Sequence, residues 1–531
     1  MMIGLIRTTA FILAAMAPAL LPGEGISARA EQGLLRALPD PLGDVTELKQ
    51  QLALAPDLDI YALSNSVSQI MPSLTPEAWG QDGDDVTASP LEGVKKTARK
   101  QRLDFLPMDL VLGQVRKQMG SKHHADLRLA NPRAGQPVLT LQSGAFTLAD
   151  IHAALEKAGN SEALTKSDSV YSLHYPLFIM SAAKLQIEAG ETLTLSTAEG
   201  VFVVNIGNFS MHKAELKGSE QRNKVKDFKP FILTALGGGT DIVGSKLSNL
   251  GFGDRTYMRG IDVVSNLLFP IQTQMRLLSN RIVDVGSIEM IGMKQIDIRN
   301  NLILNSKDSA LRIRNVENGQ VQNNIIVGSQ HHGIHLTQNP KNLMISGNVI
   351  SSGQGAGIYA SGGVSKAHIL NNLLLDNAQD GIALEGAACS EISGNSIYQN
   401  GKGGIATTNS LAMHFQKNII AGNSGAAIAI IGGIATEDRH QLNHNRFIDN
   451  EIGVLARHSP KLELTGNDFS RQLPVLFSGE LKRNLPQYLA RAGKLDNGVS
   501  GIFTTTNSTA AAVGNGGARQ FVLLNLESCK L

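Results

Sequence analysis

Aromatic side chains are scarce in this chain, at 5% of 531 residues, and tryptophan occurs once, at Trp79. A core filled by rings is therefore disfavoured. Cysteine is scarcer still: Cys389 and Cys529 are the whole complement, too few for a disulfide scaffold. Two structural thiols are the expectation, although an oxidising compartment permits a bridge. Neither sign of charge dominates, and a net charge of +2 argues against a nucleic-acid footprint. Long apolar runs are missing too. The one near the start, Phe11 to Leu21, is broken by Pro18 and followed by Pro22 and Glu24, so it falls short of the ~20 residues a membrane span needs. With Arg7 before it and Ala28-Arg29-Ala30 after it, residues 1–30 read as a secretory signal. The expected mature protein is exported and not inserted in a membrane.

Glycine, by contrast, is plentiful at 54 residues, and two phrases recur with one period. The first ends in an asparagine followed by apolar residues, as in Asn300-Asn301-Leu302-Ile303, Asn323-Asn324-Ile325-Ile326 and Asn371-Asn372-Leu373-Leu374. Counted from Asn280 to Asn467, its asparagines are 21, 23, 24, 24, 23, 23, 27 and 22 residues apart. The second includes Gly260-Ile261-Asp262-Val263, Gly333-Ile334-His335-Leu336, Gly381-Ile382-Ala383-Leu384 and Gly453-Val454-Leu455-Ala456. Each period thus holds at least two short alternating strands separated by Gly/Asn turns. One such unit cannot bury its apolar face alone. Stacked units bury Ile on Ile and Asn on Asn, which predicts an all-β parallel β-helix. Asparagine suits the corner because it tolerates left-handed backbone angles and its amides can bond along the stack. The Leu-x-x-Leu-x-Leu phrase of a leucine-rich horseshoe is absent.

Flanking composition sets the expected boundaries. Residues 31–136 are weakly periodic and read as an irregular, partly helical region. Within it, the acidic cluster at Gln81 to Asp85 lacks the spacing of a calcium loop, and His123-His124 are a solvated pair; Lys95 to Lys100 are a basic cluster. Residues 137–175 supply a first strand and an amphipathic helix with Thr147 as N-cap, placed to cap the open end of the stack. Strands are expected at Pro176–Met180, Lys184–Ile187, Leu193–Ser196, Val201–Val204 and Phe209–His212. The helix proper covers 176–470, and 471–531 read as a helical stretch and a tail that is flexible from Thr504 to Gly517, with Phe521 to Leu524 a further strand candidate.

The period also aligns outward side chains into columns. One column runs Asp262, Glu289, Arg312, His335, Tyr359, Ala383, Ala406, Ala429, Leu455; the next runs Val264, Ile291, Arg314, Thr337, Ser361, Glu385, Thr408, Ile431, Arg457. With coils ~4.8 Å apart, Asp262 to Tyr359 spans roughly 19 Å, a strip suited to a polymer rather than a pocket for a small molecule. An alternating-charge ladder would present the same polar face. Arg312 and Arg314 beside His335 argue for chemistry: guanidinium groups lower the imidazole pKa and keep it a neutral base, and they bind carboxylates. His335, Arg312, Arg314 and Tyr359 are the candidate catalytic residues. Asp262, Glu289, Thr337, Gln338, Ser361 and Glu385 are the candidate substrate contacts, and neither a metal nor a cofactor is expected.

Several stretches resemble the periplasmic mannuronan (alginate) C5-epimerase family: Leu185 to Val204, Phe228-Lys229-Pro230-Phe231-Ile232-Leu233, Leu236-Gly237-Gly238-Gly239, Leu250-Gly251-Phe252-Gly253, Arg259-Gly260-Ile261, and His332-Gly333-Ile334. The resemblance covers residues 140 to 440. It implies a right-handed β-helix, the periplasm of a Gram-negative bacterium, and an acidic polysaccharide handled during export, with other periplasmic export proteins as partners. The family carries Asp-Pro-His-Asp on one coil and a carboxylate-neutralising Arg on the next. Here the aligned residues are Arg312-Ile313-Arg314-Asn315 and Gln338. Three readings follow: an epimerase-like enzyme or a lyase using a relocated base, a noncatalytic polysaccharide-binding or export scaffold, and a β-helix of the copper-enzyme maturation type. The last has only His331, His332 and His335 as candidate ligands.

Overall fold

The structure is a computed structural model that describes residues 41–53, 66–70, 100–119, 123–265, 273–433, 439–459, 461–492 and 499–503. The signal segment, Trp79, the acidic cluster at Gln81 to Asp85, Lys95 to Arg99, the tail from Thr504 and Cys529 lie outside the described residues. All that follows concerns the compact unit beginning at Leu42.

Every third strand is a neighbour. Gly260–Val264, Ser287–Ile291, Leu311–Arg314 and Ile334–Thr337 stack in parallel, as do Gln274–Leu278, Gln295–Arg299 and Asn318–Gln322, and Arg281–Val283, Leu302–Leu304 and Ile325–Val327. The chain is therefore a right-handed parallel β-helix of about 12 turns, with three strands to a coil. Strand alternation sends Ile288, Leu311, Ile334, Ile358, Ile382, Ile405 and Ile428 inward, each fully buried in one continuous core. The glycine before many of these residues has a packing reason. A Cβ at Gly381 would lie 2.5 Å from Ile397 Cγ2 and 2.9 Å from the Gly404 carbonyl oxygen.

The asparagine ladder runs unbroken from Asn280 to Asn467. At each rung the side-chain Nδ2 and the backbone N–H both donate to the Oδ1 of the next asparagine, as Asn348 does to Asn372 at 2.9 and 3.0 Å. The same Nδ2 also donates to a strand carbonyl, Val321 for Asn348. The ladder asparagine does not itself take the left-handed backbone angle expected of it. The left-handed backbone position belongs to the residue before the ladder asparagine: Ser279, Asn300, Asn323, Gly347, Asn371, Gly394, Lys417, His444 and Gly466. The ladder asparagine is there for its amide, not for its φ. A second ladder joins Asn377, Asn400, Asn423 and Asn450 to Gln472. Substituting Asn372 by alanine removes the acceptor of two Asn348 donors and one donor to the Ile345 carbonyl. With unmet buried groups costing ~1–3 kcal/mol each, a loss on the order of 3 kcal/mol is expected in denaturant titration.

Both ends of the stack are covered. At the start, helix Leu148–Lys157 carries a full capping box between Thr147 and Asp150 and sends Leu148, Ile151 and Leu155 into the core. At the end, Phe469, Phe477 and Tyr488 meet edge to face, Tyr488 coming from helix Leu485–Ala492, where Pro486 sits harmlessly in the first turn. The two strands expected at Pro176–Met180 and Lys184–Ile187 are one, Leu177–Ile187. Its halves pair separately, with Val203–Asn205 and with Asn208–His212, and a bulge opposite Leu141–Ser143 absorbs the bend. Cys389 is disulfide-bonded, which corrects the expectation of a structural thiol.

Two outer layers decide which part of the solenoid is open. Helix Pro41–Ala53 lays Val45, Leu48 and Leu52 over Leu302, Ile325, Val349 and Leu373, with Lys49 paired to Asp376 at 2.7 Å. Helices Met108–Met119 and His124–Ala130, with Phe228, Phe231, Phe252 and Met258, roof the outward side of the early coils, burying Val204, Leu233 and Val264. The outward face emerges from this roof only at about Arg312.

Candidate functional site

Strand register reproduces the first column residue by residue. Asp262 lies beside Glu289, then Arg312, His335, Tyr359 and Ala383 on successive strands. Arg314 lies beside Thr337 in the second column. The roof divides these groups. Asp262 and Glu289 are wholly buried, so they reach a ligand only through what they hold, whereas Arg312, Arg314, His335, Thr337, Tyr359 and Ser361 are half-buried and Glu385 is exposed. Gln338 is exposed at the corner past its strand, with φ of 58°.

Glu289 is the hub of the buried half. Its carboxylate takes a 3.0 Å hydrogen bond from Arg314 Nη1 and lies 3.6 and 3.7 Å from the Nε atoms of Arg312 and Arg259. Asp308, in the turn before the Arg312 strand, pairs with Arg259 and Arg312 and accepts a 2.7 Å bond from His331 Nδ1. Burial pushes the Asp308 carboxyl up, but the His331 bond and the two arginine charges outweigh it and hold it below its ordinary range. Asp262 goes the other way. Full burial first, and the adjacent Glu289 second, push it well above the carboxylate range, against the N–H groups of Arg259 and Gly260 that it accepts. The three guanidinium groups of Arg259, Arg312 and Arg314 pair with Glu289 and Asp308.

The open half is aromatic. Tyr359 stacks on His332 at 4.4 Å between ring centroids, and both lie 5.1 Å from the His335 ring. Burial, then the Arg312 charge, pushes His335 down to about 3; burial, then His331 and Arg312, pushes His332 down to about 4. His332 Nδ1 accepts the Ala356 N–H at 3.0 Å, so in the neutral ring its Nε2 carries the proton. Burial and the Glu385 carboxylate raise the Tyr359 phenol, which bonds to Glu385 and Ser361, so it remains a proton donor. Several buried polar atoms here lack any hydrogen-bond partner: Asp262 Oδ1, Glu289 Oε2, the Nε atoms of Arg259 and Arg312, and His335 Nδ1. These unmet donors and acceptors are gathered in one place. Among the described residues, no three His, Cys, Asp or Glu side chains gather as a metal-binding group.

Period counting missed Arg259 and Asp308, and it gave His331 and His332 only a metal role. It also missed Asp380, half-buried in the matching turn two coils beyond His332 and accepting the Gly403 N–H at 2.9 Å. All five sit in turns, where lengths vary and no column can be counted. Two histidines held neutral have a consequence for stability. An imidazole with its pKa depressed in the folded state binds fewer protons there than in the unfolded chain, where it titrates near 6.5. The stability contributed above 6.5 is therefore lost as pH falls towards 4. Thermal midpoints across that window are expected to fall less in His335→Phe than in the parent.

Comparison with known proteins bears on the fold. Residues 272–433 match the model of the periplasmic copper-binding protein (NosD) family, and residues 364–515 match the right-handed β-helix region model. The structure of the periplasmic alginate epimerase AlgG superposes with a TM-score of 0.63 at 16% identity, covering 73% of this chain and 96% of that one. A substituted form of AlgG gives 0.61 at 16% identity, over 74% and 98%. The A-module of the Azotobacter vinelandii mannuronan C-5 epimerase AlgE4 is more distant: 13% identity, 64% and 96% coverage, TM-score 0.32. Among curated proteins no sequence match is found. At 16% identity the AlgG structure shares the right-handed β-helix fold with this chain, the match covering 96% of AlgG.

Proposed function

We propose that this protein acts on an acidic polysaccharide in the periplasm, abstracting the C5 proton of a uronic-acid residue. One observation carries the reading: His335, held neutral and only half-buried, stands in the open column between Arg312 and Tyr359. Abstraction beside a carboxylate needs a base on one side and a cation on the carboxylate, because the neutralised carboxylate can take up the carbanion charge. Arg312 and Arg314 supply the cation. Thr337, Ser361 and Glu385, with Gln338 at the corner, would contact neighbouring sugars along the strip.

The periplasmic assignment is supported by the descriptions of the NosD family and AlgG and by the N-terminal signal reading. Among the described residues no helix is long and apolar enough to cross a membrane.

Two products can follow the first step. Reprotonation from the opposite face gives the C5 epimer, the reading favoured by the likeness to AlgG. Elimination of the 4-oxygen gives an unsaturated end, and a different observation supports it. His335 and Tyr359 project from the same sheet face on adjacent strands, which places base and acid on one side of a sugar ring. Proton spectra of poly-mannuronate and other uronans incubated with the protein distinguish the outcomes: new C5-epimer signals, new vinyl signals, or neither. Binding with neither would favour the noncatalytic export scaffold. Because His335 and His332 stay neutral down to about 4, turnover is expected to hold between about pH 7.5 and 5.5, where an ordinary histidine base would lose most of its activity.

A further inference from the structure

A cavity lies on the same corner of the solenoid as His331, nearer its N-terminal end. It encloses about 1060 Å³ beneath the loop that follows strand Glu215–Gly218, and its wall includes Arg222, Asn223, Lys226, Lys229, Asn249 and Asp284. The loop is built, not draped. Asn223 Nδ2 donates to the carbonyls of Ala130, Thr197 and Ala198, its Oδ1 accepts the Val225 N–H, and Phe228 packs edge to face on Phe252. Asn249 Nδ2 fastens the loop's other side to the carbonyls of Gly218 and Ser219.

The cations of this wall are idle. Among the described residues, no carboxylate lies within ion-pairing distance of Arg222, Lys226 or Lys229, while the cavity's Asp284 is already taken by Lys307 at 2.9 Å. Lys217 is paired with Glu215, and the remaining acids of the lining, Glu220 and Asp227, are exposed. Lys229 is half-buried, so its unpaired ammonium bears a desolvation cost that an entering anion would offset. Burial, and the Lys307 charge after it, depress its pKa against the opposing charge of Asp284.

Lys307 also ties the cavity to the candidate site. It closes on Asp284, and its neighbour Asp308 holds His331. Asp284 and His331 occupy turns two coils apart, about 10 Å along the axis, a gap that a few sugars of one chain bridge.

We infer that this cavity is a distal subsite for the carboxylate of a uronic-acid chain whose reacting sugar lies at His335, with Lys229 as the inner cation and Lys226 at the mouth. The inference rests on the uronan reading of the main site. Calorimetry with uronate trisaccharides and with oligomers of about a dozen sugars, prepared from mannuronate and from galacturonate, tests it. Lys229→Met and Lys226→Glu are each expected to weaken binding of the longer oligomers about tenfold and to leave the trisaccharides unchanged. Lys226 is exposed, so charge reversal there leaves folding intact should Lys229→Met unfold. Unchanged affinity of the longer oligomers in Lys226→Glu and in any folded Lys229→Met would overturn the subsite and leave the main site standing. A parent protein that binds no uronate oligomer would overturn both.

Discussion

Replacing His335 by alanine is expected to lower turnover of a uronan by a factor of about 10²–10⁴, with polymer affinity within about threefold of the parent. The split follows from the geometry. In the proposed mode of binding His335 would add little contact area to a long polymer, whereas Arg312 and Arg314 beside it would supply the cationic contact and remain in place, held by Glu289 and Asp308. His335→Gln, which restores a polar group without a usable base, should be as inactive as alanine. Equal turnover in all three proteins would remove His335 from the chemistry. The histidine beside it is a weaker candidate for the base, since one nitrogen of His332 is occupied by the Ala356 N–H.

Substituting Glu289 by glutamine is expected to cost about 3 kcal/mol of stability in chemical denaturation and to raise KM several-fold. Glu289 is fully buried and stands against three guanidinium groups. Neutralising it leaves their charges facing one another in a poorly solvated place, and the 3.0 Å hydrogen bond from Arg314 loses its charge assistance. The same change at Glu385, which is exposed, should leave stability almost untouched. A Glu289→Gln protein as stable as the parent would mean that the arginines are solvated well enough to need no counter-charge.

These contrasts show where the sequence could be read and where it could not. The asparagine ladder and the outward column were legible because strand residues keep step. Each coil must present Ile at the core and Asn at its corner, so counting from one asparagine to the next also aligns His335 with Arg312 and Tyr359. Solvent exposure was not legible. Asp262 and Glu289 share a column with His335, yet they lie under a roof from helices Met108–Met119 and His124–Ala130 and the aromatic residues Phe231 and Phe252, whose sequences share no period with the coils. Arg259, Asp308 and Asp380 were invisible for a related reason: they sit in turns of unequal length. The second ladder escaped because it starts only at Asn377, midway along the stack, where isolated asparagines look like ordinary turn residues. The left-handed position fell one residue early because Asn300-Asn301 and Asn323-Asn324 are doublets, and the sequence does not say which member turns the corner.

Removal of the C5 proton of a uronic-acid residue by a neutral His335 is expected to show in solvent isotope incorporation. Uronan polymers incubated in deuterated water with the parent protein should acquire deuterium at C5, at similar rates at about pH 7.5 and 5.5, and acquire almost none with His335→Ala. A polymer that binds yet takes up no deuterium and gains no unsaturated ends, or one processed as fast by His335→Ala as by the parent, would rule that step out.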